Sequence, residues 1–230
     1  INQDVLDLKP IQFTASVDEW DEGGNGNAAN GTAIHNVDEL KAALAAGGSY
    51  ALVNDLTVDA DETLKVAAGK NVILDLYGHT ITAESDQNSG NRDVFDVRGS
   101  LTIISTSNAL TRSTNGGIVY EHKGTDMGWD ASTNIFNVTA GGDLHLHGIT
   151  AENKGGSAMA FVAHLNNWGK CTLSVDDCVL KSTYIPVRVF NSGYDMNYVT
   201  IKNTTLNGKY CFWVHNYKAA GDNVGTDETL

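Results

Sequence analysis

Two histidines on alternate positions, His145 and His147, are the residues whose types and spacing first suggest chemistry. They stand in the segment LHLHGITAEN, with leucines between them. Side chains two residues apart on a strand share a face, so the pair could bind a metal, exchange protons, or form the solvated side of a strand. Asp176, in a later segment of similar pattern, would complete a His, His, Asp metal site. The solvated strand is the simpler interpretation, because the flanking positions supply threonine, serine and isoleucine rather than further ligands.

A second set of candidate residues combines aromatic rings with an arginine and histidines. Its members stand in three short segments, AFVAHLNNWG, VRVFNSG and CFWVHN, and are His164, Arg188, Phe190, Trp213 and His215. Aromatic planes beside hydrogen-bonding groups suit sugar rings, so these residues are candidates for ligand binding. Packing beneath loops explains Phe190 and Trp213 equally well, and both interpretations stay open.

Two ladders of short strands recur along the chain and must position these residues. The first has an apolar-x-apolar centre at 74/76, 101/103, 144/146, 173/175 and 199/201. A second ladder of short apolar segments precedes the first within each repeat. Two strands per period of 26 to 29 residues are typical of a solenoid in which each coil is buried by its neighbours. The sequence therefore predicts an all-β, right-handed parallel β-helix over residues 33–230, with a polar insertion at 107–133.

Alternation within the ladders predicts which side chains share an outward column. The first ladder gives Asp75, Thr102, His145, Ser174 and Thr200, with Tyr77, Ile104, His147, Asp176 and Lys202 beside them. The second gives Asp96, Asn137, Val162, Arg188 and Trp213, with Arg98, Thr139, His164, Phe190 and His215 beside them. Strands stack about 4.8 Å apart, so successive members of a column can touch. Trp129 and Asp130 of the insertion could cover this second face or another. Cys178 is predicted to point inward, like Ile149 in the preceding repeat.

One α-helix is predicted before the repeats, in HNVDELKAALAAGGSY. Asn36 can cap its first turn, Glu39 follows three residues later as in a capping box, and Gly47 and Gly48 end it. An apolar stripe marks the buried face: Val37, Leu40, Ala43 and Leu44. We expect this helix to cover the N-terminal end of the solenoid, where an open coil would expose unpaired backbone groups.

The two ends of the chain suggest a larger protein. Residues 1–20 contain a strand-like alternation that would end a preceding domain, and 21–32 are a glycine- and asparagine-rich linker. At the other end, TDETL aligns with the start of a first-ladder strand. We therefore expect the β-helix to be truncated, with further coils after Leu230.

Composition excludes several classes of partner. The chain has 230 residues, 41% of them hydrophobic, and a formal net charge of -13. An acidic chain without a basic stripe repels phosphate backbones, so nucleic acid is not an expected partner. No apolar run is long enough for a transmembrane segment. Cys171, Cys178 and Cys211 are too few and too irregular for a disulfide framework or a zinc site.

Two resemblances can be named from these segments. Residues 33–82, with LDLYGHTI at 74–81, resemble the entry of pectate-lyase-like right-handed β-helix modules of bacterial surface proteins. Residues 9–23, KPIQFTASVDEWDEG, resemble the closing strand of fimbrillin-like domains of Bacteroidetes cell-surface proteins. Together they imply an exported protein at the cell surface or outside the cell, as an outer-membrane lipoprotein or a fimbrial component.

The same resemblance raises lyase chemistry. Polysaccharide lyases with this fold use clustered acidic residues for calcium and an arginine or lysine as base, which implies four candidates here: Asp176, Asp177, Arg188 and Lys202. No predicted column holds carboxylates on three consecutive coils, as a calcium-bridged uronate site requires. We therefore expect no cofactor, while calcium stays an alternative.

The sequence thus predicts an adhesin-like β-helix module, secreted or anchored at the cell surface or on fimbriae, that binds glycans or other cell-surface proteins. We expect no catalytic residue in this chain. The first alternative is an enzyme, a polysaccharide lyase or glycoside hydrolase whose active coils lie partly beyond Leu230. The second is a structural spacer.

Overall fold

The described part of the chain is mostly β-structure. The computed structural model describes residues 27–28, 31–106, 116–129, 131–166, 170–191 and 197–216. The strand predicted within residues 1–20 and the segment after 216 lie outside these residues. Within them there is one helix, α1 (Val37–Ala46), and it is neither long nor apolar enough to cross a membrane.

Twenty short strands make up the rest of the regular structure. In chain order they are β1 (Asn27–Ala28), β2 (Gly31–Ile34), β3 (Gly48–Leu52), β4 (Leu56–Asp59), β5 (Leu64–Val66), β6 (Asn71–Asp75), β7 (Thr80–Ser85), β8 (Arg92–Val97), β9 (Ser100–Ile104), β10 (Gly117–His122), β11 (Ser132–Val138), β12 (Asp143–His147), β13 (Thr150–Asn153), β14 (Met159–Asn166), β15 (Thr172–Asp176), β16 (Val179–Ser182), β17 (Ile185–Asn191), β18 (Tyr198–Lys202), β19 (Thr205–Asn207) and β20 (Phe212–Asn216).

These strands form three sheets. The first sheet has the order β1-β2-β3-β6-β9-β12-β15-β18, the second β4-β7-β10-β13-β16-β19 and the third β5-β8-β11-β14-β17-β20. Every pairing is parallel except that of β1 with β2, which lies in the predicted linker. From β3 onward the chain visits the first, second and third sheets in that order, again and again. This arrangement is consistent with an all-β parallel solenoid.

Each repeat contains three strands, not the two that the sequence predicts. The missing one belongs to the second sheet, and it follows a sharp corner after each strand of the first sheet. In LHLHGITAEN the corner is Gly148, which has a φ of 66°, and the equivalent residues Asp177 and Asn203 have φ values of 54° and 48°. Because the chain bends there, a segment that looks like one long strand is two strands on different sheets.

The insertion also contributes to the solenoid. Residues Gly117–His122, inside the predicted insertion, form β10, which pairs with β7 on one side and β13 on the other. The insertion therefore supplies one strand of the second sheet, and the residues after it form the connection to the third sheet.

In the first sheet the predicted register is confirmed from Thr102 onward. Thr102, His145, Ser174 and Thr200 pair in one row, and Leu101, Leu144 and Leu173 stack beside them in the core with 0% exposure. The predicted register of the first repeat is wrong by two residues, since Ile73 rather than Asp75 pairs with Thr102. Asp75 is fully buried at the strand end, where its carboxylate accepts hydrogen bonds from the backbone N–H groups of Tyr77 and Thr106.

Helix α1 confirms the capping motif. The Asn36 side chain accepts a hydrogen bond from the Glu39 N–H at 2.9 Å, and Gly47 ends the helix with a φ of 81°. Leu40, Ala43 and Leu44 are buried against strands of the first repeats. The prediction that Cys178 points inward is also confirmed, because it is 2% exposed and lies in the core. All three cysteines are free thiols.

Asn153 ties the second sheet to the third inside the solenoid. Its side-chain amide donates to the carbonyls of Thr133 and Phe161, both at 2.9 Å, and its oxygen accepts from the Gly155 N–H at 3.0 Å. Asn153 is 1% exposed, so these hydrogen bonds lie away from solvent. A buried polar group left without its partner costs about 1 to 3 kcal/mol.

We expect Asn153→Ala to lower the free energy of unfolding by about 2 to 4 kcal/mol, because it leaves several buried backbone groups unpaired. Chemical denaturation measures this change. The control is Asn207→Ala at an exposed position on β19, for which we expect a change within about 0.5 kcal/mol. Equal effects of the two substitutions would contradict the structural role of Asn153.

Candidate functional site

The candidate site lies on the third sheet, on the side away from the core. One residue from each of five neighbouring strands falls in a single row: Asp96, Asn137, His164, Arg188 and Trp213. We call this row the outer column. The residues that follow them in β8, β11, β14 and β17 are core residues: Val97, Val138, Leu165 and Val189. Successive side chains of a strand point to opposite faces, so the outer column faces outward.

The predicted columns of this sheet are wrong by two residues in β14. The sequence pattern places Val162 beside Asn137, and His164 in the column of Phe190. In the structure His164 pairs with Asn137 and Arg188, while Asn166 pairs with Phe190. Strand β14 carries five consecutive apolar residues at 159–163, so alternation alone does not distinguish its two faces.

Arg188 is the central residue of the outer face, by which we mean the outward side of the third sheet around the outer column. Its guanidinium carbon lies 4.7 Å from the ring centroid of Trp213, 5.0 Å from that of Phe190 and 5.2 Å from that of Phe161. Partial burial lowers the pKa of Arg188 from its ordinary value, yet a guanidinium keeps its charge in proteins. No carboxylate among the described residues forms an ion pair with it. The cation is held mainly by the π faces of the three rings.

The aromatic rings of the last two strands complete the face. Trp213 and His215 are stacked with an angle of 11° and 5.3 Å between ring centroids, and Phe190 meets His215 edge-on at 5.0 Å. The Arg188 Nη2 and His215 Nδ1 atoms are 3.5 Å apart. The structure therefore brings together four of the five predicted ligand-binding residues, Arg188, Phe190, Trp213 and His215, all of them half-buried.

His164 stands next to Arg188 in the outer column, but unlike these four residues it is buried. It is 5% exposed, and its ring packs 5.2 Å from that of Phe161. Neither ring nitrogen has a hydrogen-bond partner among the described residues. Burial, with a smaller contribution from the Arg188 charge, lowers the pKa of His164 to about 3. His164 is thus a neutral, buried side chain that packs against Phe161 beside Arg188, and a bulky ligand cannot reach it.

An acid and two amides form the other end of the face. The Asp93 carboxylate accepts hydrogen bonds from the side-chain amides of Asn134 at 2.6 Å and Asn137 at 2.9 Å. Burial raises the pKa of Asp93, although these two hydrogen bonds partly oppose the rise. Asp96 pairs with the Arg98 Nε at 3.0 Å. The charges at this end are therefore satisfied internally, whereas Arg188 is available to a ligand.

Two aromatic residues that the candidate set lacks extend the face, Tyr184 and Trp129. The Tyr184 ring lies 6.5 Å from Trp213 and 5.7 Å from Trp129, edge-on in both cases. Trp129 comes from the insertion, and the sequence does not predict which face it covers. Asp130 lies outside the described residues. Tyr184 directly precedes β17, at a corner that no alternation marks. Only its aromatic side chain marks Tyr184 as a candidate in the sequence.

The histidines of the first sheet do not form a metal site in the described residues. His145 Nε2 pairs with Asp143 on its own strand at 2.8 Å, while His147 Nδ1 is 3.9 Å from Asp176. Within the described ranges no group of three histidine, cysteine or carboxylate side chains is placed to hold a metal ion. The two histidines thus belong to separate exposed pairs.

The lyase candidates lie on two different sheets. Asp176 is in register with Lys202 on the first sheet and accepts a hydrogen bond from Asn203 at 3.1 Å, and Asp177 occupies the corner after that strand. Arg188 stands on the third sheet. The structure therefore separates Arg188 from the acidic candidates.

The buried His164 predicts a pH dependence of stability. Its pKa of about 3 lies below the ordinary value of 6.5, so between these values the unfolded chain binds a proton that the folded chain does not. The free energy of unfolding should therefore fall as the pH drops from about 6.5 towards 3, by up to about 1.4 kcal/mol per pH unit from this residue.

Urea denaturation between pH 4 and 7 measures this slope. We expect His164→Leu to reduce it and the exposed control His147→Ala to leave it unchanged, and NMR should find the His164 ring neutral down to about pH 4. Equal slopes for the wild type and His164→Leu would contradict the account.

Comparison with known proteins gives no match. No family model matches the chain, and neither a curated protein nor a solved structure matches it.

Proposed function

We propose that this chain is a right-handed parallel β-helix from a bacterial cell-surface or fimbria-associated protein, and that it acts as an adhesin-like module that binds glycans. The repeated order of the three sheets supports the β-helix. The resemblance of residues 33–82 to bacterial surface modules supports export and a place at the cell surface or outside the cell.

One observation carries the binding function: the guanidinium of Arg188 is surrounded by aromatic rings on a half-exposed face. A sugar presents an apolar face of C–H groups and a rim of hydroxyls. Trp213 and Tyr184 offer flat surfaces for the C–H groups, and the outer nitrogens of Arg188 can donate hydrogen bonds to the hydroxyls. Small-molecule sites generally combine apolar walls with a few well-placed polar groups of this kind.

Electrostatics limits the class of partner. The formal net charge of -13 disfavours nucleic acids. Arg188 has no carboxylate partner among the described residues, so it can receive either a sugar hydroxyl or an acidic group of the glycan. Both neutral and acidic glycans therefore belong in the first screen.

The enzyme and the spacer are the rival functions. A polysaccharide lyase would bring acidic residues close to the arginine or lysine that acts as base, whereas a glycoside hydrolase would use a pair of carboxyl groups. Asp176 does lie beside Lys202 on the first sheet, but Arg188, the cation that the aromatic rings surround, stands on the third. This separation favours glycan binding as the function of the third sheet to test first. A spacer needs no ligand at all, so a binding experiment separates it from the adhesin.

The test is a glycan array followed by affinity measurements on the selected glycan. We expect Trp213→Ala and Arg188→Ala each to lower affinity at least about tenfold, since aromatic and arginine anchors dominate most binding sites. The control is His147→Ala on the first sheet, which should bind like the wild type.

Thermal unfolding of each variant shows whether the fold is kept. Arg188→Lys retains the charge but not the planar fork, so we expect an intermediate affinity. An array without any bound glycan, or full binding by both alanine variants, would contradict the proposed function.

A further inference from the structure

A cleft of about 300 Å³ opens beside the outer face. It is built by the connections that lead from the second sheet to the third in four successive repeats. These connections supply Trp129, the segment from Lys154 to Ala158, the pair Thr183 and Tyr184, and Lys209. The cleft is therefore a product of stacking, because no single repeat forms it.

Glycine lets the backbone form one side of the cleft. Gly155 and Gly156 have φ values of 103° and 90°, a region that side chains rarely adopt. A Cβ on Gly156 would lie 2.2 Å from the His122 ring. The close approach of backbone and ring at this point therefore depends on glycine.

Hydrogen bonds hold the backbone on either side of Trp129. The Met127 N–H donates to the Gly156 carbonyl at 2.9 Å, and the Ala158 N–H donates to the Gly128 carbonyl at 2.8 Å. The Ser157 hydroxyl donates to the carbonyl of Ala131. Trp129 is 62% exposed, so its ring is an accessible wall on an ordered backbone. A backbone that is already ordered loses little entropy when a ligand binds.

The cleft and the outer face are continuous through Tyr184. This ring meets Trp129 on one side and Trp213 on the other, and Tyr210 lies 5.9 Å from it with 54% exposure. A ligand can thus pass from the cleft to Arg188 over aromatic surface alone.

The polar groups of the cleft include both donors and acceptors. Lys154 pairs with Glu121 at 2.5 Å, Lys209 lies 5.8 Å above the Tyr210 ring, and the Asp126 carboxylate accepts from the Gly128 N–H at 2.8 Å. A volume of about 300 Å³ is at the lower end of the range for small-molecule sites, which suits one sugar unit rather than several.

We propose that this cleft is a second sugar subsite, so that the ligand is an oligosaccharide that extends from the cleft, across Tyr184, to Trp213 and Arg188. This inference rests on the proposed glycan binding and adds the extent of the ligand and its direction across the repeats. One unit lies in the cleft against Trp129, and another lies against Trp213.

The test measures affinity against chain length. The probes are cello-oligosaccharides and oligogalacturonides of one to four units, a neutral and an acidic series, titrated into the 230-residue protein and followed by NMR. For the series that binds, we expect affinity to rise at least tenfold between one unit and four. Trp129→Ala should remove that gain, and Trp213→Ala should weaken every length.

The control is Lys170→Ala, at a lysine that packs on Tyr198 of the first sheet, and it should keep the dependence on length. Trp129→Phe should retain part of the gain, because it keeps an aromatic wall. Binding that does not vary with length, or a gain that survives Trp129→Ala, overturns the second subsite and leaves the proposed function standing. Absence of binding by both series at millimolar concentration, together with an array that shows no bound glycan, overturns both.

Discussion

The structure depends on one constraint, the in-register parallel pairing of strands that are about one repeat apart in sequence. In the first sheet Val72, Leu101, Leu144 and Leu173 follow one another across neighbouring strands. Strands in a sheet lie about 4.8 Å apart, so each side chain has the equivalent residue of the next repeat as its neighbour. The core is therefore a set of apolar stacks, and the outer surface is a set of columns.

The same constraint creates the candidate site. His164, Arg188 and Trp213 are far apart in sequence, yet they become adjacent because their strands pair in register. Burial keeps His164 neutral beside Arg188, and the rings around Arg188 compensate part of the cost of removing its charge from water. The corners between the second and third sheets then stack as well, and they extend this face with Tyr184 and Trp129.

Structure that depends on local motifs or on regular alternation could be predicted from the sequence. Strands that begin after a sharp corner could not. The Asn36 cap and the two glycines that end helix α1 act within a few residues, so the motif predicts the helix. The alternation around His145 predicts the first-sheet register, because Leu144 and Leu146 are clearly distinct from the polar residues between them. The second sheet was missed because each corner, such as Gly148 or Asp177, is a single turn-type residue and the apolar pattern resumes directly after it.

The same reasoning applies to the site. Arg188, Phe190, Trp213 and His215 can be predicted because they alternate with the apolar residues Val187, Val189 and Val214. The predicted register of β14 was wrong because its run of apolar residues contains no polar residue that would show which side chains face outward. Tyr184 and Trp129 stand in connections without periodicity, and only the stacking of whole repeats brings their rings together.

The most direct test of the central claim, that the outer face of the third sheet is the binding surface, is an NMR titration of the protein with the glycan that an array selects. The account predicts that the indole N–H signals of Trp129 and Trp213 shift, while the ring signals of His145 and His147 on the first sheet stay unchanged. Shifts confined to the two histidines, with both indole signals unmoved, would contradict it.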